Sequence, residues 1–388
     1  MFTMVVMSEL SYVLVTPYTI AKSRTGGVIA RLLSRLDLEL AGAQIIIPDE
    51  NFVNEYAKVL RKQNTKGDLT LLADYVETNF ISGGRAHRIL FLLFRGTDAC
   101  QKCADICGAL YAENRGIESL AGETIRDTYA DLIVDSNDPE KVTYFEPAVL
   151  TPRNQKDADM DLRLIARLLK GKENIVANME YPDPSKIERT LVILKPDNWN
   201  YASSRPGTII DMFSRTGMRI VGMKIHQFTH EEALEFYGPV EAALREKLAP
   251  VFGKKAAELL EKEFDVVLTD DTKKMLVEKL GKECAGKQFS DLIEFMSGIR
   301  PGPDGKTKPV KTMIMVYEGE GAVNKIREVL GPTDPLKAPG GTVRREFGSN
   351  IMVNTAHASD STESYQREQA IVKIGKNTLQ EIIEEHLR

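Results

Sequence analysis

The chain alternates short apolar runs with longer amphipathic stretches, and it does so twice. The run SYVLVTPY (Ser11 to Tyr18) is an apolar, strand-like block that ends in proline, and TLVILKPD (Thr190 to Asp197) has the same form. Each is followed by apolar residues at helical spacing, in GGVIARLLSRLDLELAGAQI (Gly26 to Ile45) and PGTIIDMFSRTGMRIVGMKI (Pro206 to Ile225), with Ser-Arg and a later Gly in step. LFLLFRG (Leu90 to Gly96) then matches MIMVYEG (Met313 to Gly319), and GETIRDTY (Gly122 to Tyr129) matches GGTVRREF (Gly340 to Phe347). The matches are collinear, so the chain is an internal repeat. Each copy predicts strand, helix, strand, helix, a second helical stretch, strand, helix and a turn-rich ending. That order is βαββαβ. It predicts an α/β (α+β) protein of two ferredoxin-like domains, each a four-stranded antiparallel sheet covered by helices on one face.

Local signals sharpen the second copy. Ser203 or Ser204 can cap its first helix, and Pro206 suits the first turn. Thr229 followed by Glu232 has capping-box spacing, and Met218 to Phe228 alternates in part as a half-buried strand does. The division expected is residues 1–150 for the first copy, 151–187 for a helical segment (Asp157 to Met179) with the Pro-rich connector YPDPSK, and 188–388 for the second copy. The second copy is longer through a charged, amphipathic insertion near 238–286 and the segment IRPGPDGKTKP at 299–309, which reads as a hairpin tip.

A length of 388 residues suits two domains, and 43% apolar with 28% charged residues is ordinary for a soluble protein. No run approaches the roughly 18 apolar residues of a membrane span. Met1 to Leu10 lacks a basic n-region and a cleavage site, so no signal peptide and a cytoplasmic location are expected. A net charge of −5 with interspersed signs argues against a nucleic-acid surface and leaves any anionic ligand to a local cationic pocket. Cys100, Cys103 and Cys107 in CQKCADIC invite a metal reading, but the spacing puts all three on one helix face with no fourth ligand nearby. They are expected to be core residues.

The segment carrying chemistry is NTAHASDSTES, Asn354 to Ser364. A neutral imidazole near pH 7 has a lone pair that can attack phosphorus, and the Ser-Asp-Ser cluster after His357 can cap a helix and offer donors to phosphate. Three motifs together make the second copy resemble a nucleoside diphosphate kinase from Arg189 to about Ile374: RTLVILKPD, VLGPTDPLKAPGGTVRREF, and NTAHASDSTES, with Ala358 where glycine is more usual. The resemblance implies that His357 takes the γ-phosphoryl group of a nucleoside triphosphate and passes it to a diphosphate, in ping-pong fashion. Glu368 would orient the imidazole, and Tyr237 and Ser359 would stand near it. Lys195 and Asn354 would contact the ribose 3′-hydroxyl and nearby phosphate oxygens, while Arg327, Thr333 and Arg344 would bind the phosphates. Mg²⁺ would ride on the nucleotide, so no protein ligands for a metal are expected. For the aromatic residue that stacks on the base, one alignment gives Phe289 and another puts Gln288 there. The resemblance also implies a homo-oligomer, with no membrane and no specific nucleic acid as partner.

Aligning the copies puts Thr16 where Lys195 stands and Ala104 where Arg327 stands, while Arg126 matches Arg344. No histidine occurs between His87 and His226, so the first copy cannot run a phosphohistidine reaction. It is expected to serve as a built-in pseudo-subunit, or as a binding module. Two functions follow for the whole chain: an enzyme with one inactive copy, or a regulatory protein using the second site for binding or histidine phospho-signalling. The full set of site residues favours the enzyme.

Overall fold

The computed structural model describes residues 8–63, 68–110, 122–177, 179–298 and 310–388. The tip at 299–309 lies outside them. The chain forms two compact units, Met1–Ile225 together with Met313–Arg388, and His226–Thr312.

In the first copy, strands β1 (Glu9–Val15), β2 (Glu39–Ile46), β3 (Ile89–Gly96) and β4 (Val149–Leu150) make a sheet in the order β2-β3-β1-β4. β1 is antiparallel to both β3 and β4, and β2 is antiparallel to β3. The longer helices of this copy are α1 (Thr25–Arg35), α2 (Glu50–Gln63), α3 (Asp68–Asn79), α4 (Ala99–Cys107) and α5 (Gln155–Leu169). Alternate side chains of a strand point to opposite faces. Leu10, Tyr12 and Leu14 of β1 therefore join one apolar cluster with α2, α3 and α5, while Ser11 lies against Cys100 and Cys103 of α4 on the other face. Helices thus cover both faces of this sheet rather than one, because α2, α3 and α5 add a second layer. The three cysteines of α4 are core residues, and burial pushes the Cys100 and Cys107 thiols up to about 12.

Helix α5 falls in the segment whose sequence suggests a connector. Its apolar face places Leu162, Ile165 and Leu169 in the core of the first copy. Amphipathic spacing alone does not say which core a helix joins.

The second copy repeats the plan: β5 (Ile187–Leu194), α6 (Arg205–Ser214) and β6 (Arg219–His226) open it. The unit His226–Thr312 contains α7 (His230–Tyr237), α8 (Glu241–Phe264), α9 (Asp270–Leu276) and α10 (Lys282–Ser297). Thr229 and Glu232 form the expected capping box on α7. After it come β7 (Thr312–Glu320), α11 (Ala322–Leu330), α12 (Val343–Phe347), β8 (Ala356–Ala358), α13 (Thr362–Ile371) and α14 (Thr378–His386). The second sheet has the order β6-β7-β5-β8, the same topology as the first. At α6 the expected Ser204 holds the N-cap position without a side-chain cap bond, and Pro206 lies in the first turn.

The copies pack on each other through α1 and α6. A Cβ added to Gly26 would lie 2.5 Å from the Asp211 amide nitrogen and 2.6 Å from the Gly207 carbonyl, and one at Gly207 would strike the backbone of Ala30 and Gly26. Two helices can approach backbone to backbone only where neither carries a side chain. The last helix, α14, buries Leu379 and Ile383 in the cluster of the first copy, and Leu379 lies over Gly42 of β2.

Candidate active site

The site begins with the pairing of β8 and β5, which sets His357 opposite Ile193. Ser361 then caps α13 through the Ser364 amide, and that helix carries Glu368 back beneath the histidine. His357 Nε2 and Glu368 Oε2 are 3.0 Å apart, and Ser359 Oγ donates to the same oxygen at 2.7 Å. Glu368 is almost wholly buried, and one fifth of the histidine side chain is exposed. A buried carboxylate on Nε2 favours the tautomer with the proton there and the ring lone pair on Nδ1.

Lys195 follows the last residue of β5. Its Nζ donates to Asn354 Oδ1 at 2.8 Å, and Asn354 Nδ2 donates to the Ile351 carbonyl at 2.7 Å and the Thr333 carbonyl at 3.3 Å. Burial, with a smaller contribution from the Arg344 charge, brings the Lys195 ammonium down to about 7, and Asp197 opposes the shift. Arg344 on α12 is buried, donating to the Gly331 carbonyl at 3.0 Å and the Ala356 carbonyl at 3.1 Å. It therefore braces the strand that bears His357. Arg327, in the last turn of α11, is exposed, as is Thr333. The Asp360 carboxyl is held below its usual range by Ser364 first, then by the charges of Arg327 and His357.

The fold thus joins His357, Glu368 and Ser359 by hydrogen bonds, and Lys195, Asn354 and Thr333 by a second set. Tyr237 and Phe289 belong to the other compact unit, where both are buried, Tyr237 ending α7 and Phe289 within α10; Gln288 is half-buried. Sequence reasoning missed Asn198, Arg205 and Thr355, which lie beneath the site. Thr355 has φ +73° and the Ala356 amide donates to the Asn354 carbonyl at 2.8 Å, the pattern of a γ-turn. No residue type at position 355 announces such a turn.

The first copy preserves this frame without its histidine. β4 pairs with β1 so that Leu150 lies opposite Leu14, the position equivalent to Ile193, and Leu150 stands where His357 stands. Arg126 donates to the carbonyls of Gly108 and Val149 as Arg344 does to those of Gly331 and Ala356. Asp161, placed from its cap Asn154 as Glu368 is from Ser361, accepts from Tyr12 at 2.8 Å and Gln63 at 2.9 Å. Burial pushes its carboxyl up to about 7.

Two α+β copies share one sheet topology, and the second carries a carboxylate-held histidine beside buried and exposed cations. The family model "Nucleoside diphosphate kinase" matches residues 188–253 and 240–373. The nucleoside diphosphate kinase of Anaeromyxobacter sp. (strain Fw109-5) is 33% identical over 177 residues, 46% of this chain and 83% of its own. That of Bdellovibrio bacteriovorus is 33% identical over 185 residues, 48% and 92%. Among solved structures, the Aquifex aeolicus nucleoside diphosphate kinase is 29% identical and covers 48% of this chain and 94% of its own, with a TM-score of 0.31. The chain belongs to the nucleoside diphosphate kinase family, and is an enzyme of that family with a second, degenerate copy of the domain in tandem.

Proposed function

We propose that the second copy exchanges phosphate between nucleoside tri- and diphosphates through phosphohistidine at His357. The observation that carries this is the hydrogen-bonded set His357, Glu368 and Ser359, which holds the imidazole through Nε2 and leaves Nδ1 as the nitrogen proposed to face the nucleotide. Nδ1 donates its lone pair to the γ-phosphorus, the bond from that phosphorus to the bridging β-oxygen breaks, and the diphosphate leaves. An acceptor diphosphate reverses the steps. Glu368 stabilises the charge that develops on the ring. Lys195 and Asn354 hold the ribose 3′-hydroxyl and nearby phosphate oxygens, and Arg327, Thr333 and Arg344 supply donors and charge to the phosphates. Roles for Tyr237, and for Phe289 or Gln288 as the base platform, rest on the family motif alone.

Among the described residues no group of three or more His, Cys, Asp and Glu could hold a metal ion. The cationic and amide donors here fit phosphate oxygens, so Mg²⁺ is proposed to arrive on the nucleotide, where it neutralises phosphate charge. Residues 1–150 are proposed as the degenerate domain, 151–187 as the joining segment and 188–388 as the catalytic domain. Among the described residues no helix is long and apolar enough to cross a membrane. Free cysteines throughout fit a reducing compartment, and we assign the cytoplasm. Further copies of the chain are the proposed partners.

Labelled ATP tests the reading. The protein should take up at most one acid-labile phosphate per chain, and His357→Ala should lose both that label and exchange. A labelled His357→Ala, or two phosphates per wild-type chain, would overturn it.

A further inference from the structure

The γ-turn at Thr355 joins two residues with proposed roles, Asn354 and His357, and it is the one point where the chain between them takes a conformation that side chains with a Cβ disfavour. Such a residue persists only where its surroundings hold it. The Thr355 carbonyl accepts from the Lys195 amide at 3.0 Å and from Asn198 Nδ2 at 2.7 Å. Thr355 Oγ1 donates to Asn198 Oδ1 at 3.3 Å and accepts from Arg205, whose guanidinium is paired with Asp197 at 2.5 Å. Asn198 Nδ2 also donates to the Lys195 carbonyl at 3.0 Å. One amide therefore ties the backbone of Lys195 to the carbonyl and the hydroxyl of Thr355. Asn198 is buried at 2% exposure.

The first copy shows what this bond set does apart from catalysis. There the turn falls on Ala148, φ +61°, with the Val149 amide donating to the Pro147 carbonyl at 2.7 Å. The Thr16 amide donates to the Ala148 carbonyl at 3.1 Å, and Thr19, at the position of Asn198, donates its hydroxyl to the same carbonyl at 3.1 Å. The turn is thus a property of the fold, kept where the histidine has become Leu150. The two-point hold is not: Ala148 has no hydroxyl, and Thr19 grips the turn once.

We propose that Asn198 is a positioning residue for His357, locking the strained turn so that the imidazole and the Lys195 ammonium keep a fixed separation during phosphoryl transfer. This rests on the reading of His357 as the nucleophile. A side chain misplaced by a fraction of an ångström slows an in-line transfer without weakening nucleotide binding in proportion.

The experiment compares wild type, His357→Ala, Asn198→Ala and Asn198→Thr in steady-state exchange between ATP and a deoxynucleoside diphosphate, with thermal unfolding of each. Asn198→Ala should lower kcat about 10- to 100-fold with KM within about twofold. Asn198→Thr, which restores the grip seen at Thr19, should recover most of the loss and remain about two- to fivefold below wild type. Asn198→Ala with wild-type kcat overturns the proposal, as does a loss carried by KM, or a threonine variant no better than alanine. If Asn198→Ala does not fold, the threonine variant decides alone, and an unchanged kcat overturns the proposal. A wild type without exchange, or an active His357→Ala, overturns the underlying reading instead.

Discussion

Asp161→Asn should make the protein's stability less dependent on pH. In the folded chain the Asp161 carboxyl is 1% exposed and is pushed up to about 7, chiefly by burial, with Asp157 adding to the rise and the hydrogen bonds from Tyr12 and Gln63 opposing it. In the unfolded chain an aspartate titrates near 3.9. Below about pH 4 both states are protonated and the group is neutral in the balance. As pH rises from about 4 to about 7 the unfolded state releases its proton while the folded state keeps it, so stability falls; above about 7 the loss is complete. At 1.36 kcal/mol for each pH unit in that window, the upper limit is roughly 4 kcal/mol. Asparagine is uncharged, so it removes the slope. Any hydrogen bond it forfeits is a constant cost at every pH. Calorimetric melting of both proteins at pH 5 and pH 8 isolates the titration as a difference of differences. The variant should gain on wild type between pH 5 and pH 8 by roughly 3–8 °C, given about 2–4 °C per kcal/mol for a domain of this size and partial relaxation of the site. An equal difference at both pH values, or a wild type that gains on the variant as pH rises, would refute the reasoning.

Two further outcomes follow from the packing and the charges. The Lys195 ammonium, brought down to about 7, should be largely uncharged at pH 8 in the free protein, and nucleotide phosphates should recharge it. ADP titrations at pH 8 in two buffers of different ionisation enthalpy should show uptake of up to about one proton per chain, lost in Lys195→Met. Identical enthalpies in both buffers for wild type would contradict this. Gly207→Ala should lower the melting temperature by several degrees, about 2 kcal/mol or more, because its Cβ meets the backbone of α1 rather than a side chain that can move. Gly375→Ala, where nothing lies within 4 Å of the new atom, should change little; equal effects would argue against the close crossing.

Much of the molecule follows from the order of residues. The strands within the runs SYVLVTPY and TLVILKPD, the capping box at Thr229 and Glu232 and the Ser361 cap after the histidine are local: periodicity and side-chain reach decide them within a few residues. The candidate site residues were nameable for a related reason, since a motif fixes identity and spacing without any contact being known. Tertiary structure decided what depends on distant segments. It placed α5 in the core of the first copy, laid helices on both faces of its sheet, and drew Leu379 and Ile383 of α14 into that same core. It also set the register that puts Leu150 in the place of His357 and the buried Asp161 in the place of Glu368. None of these is written at one position: a helix with one apolar stripe fits several cores, and a strand's partner is chosen by pairing and turn geometry from elsewhere in the chain. The γ-turn at Thr355 is the extreme case, because its conformation is imposed by Asn198, Arg205 and Lys195, more than 140 residues away, against the preference of threonine itself.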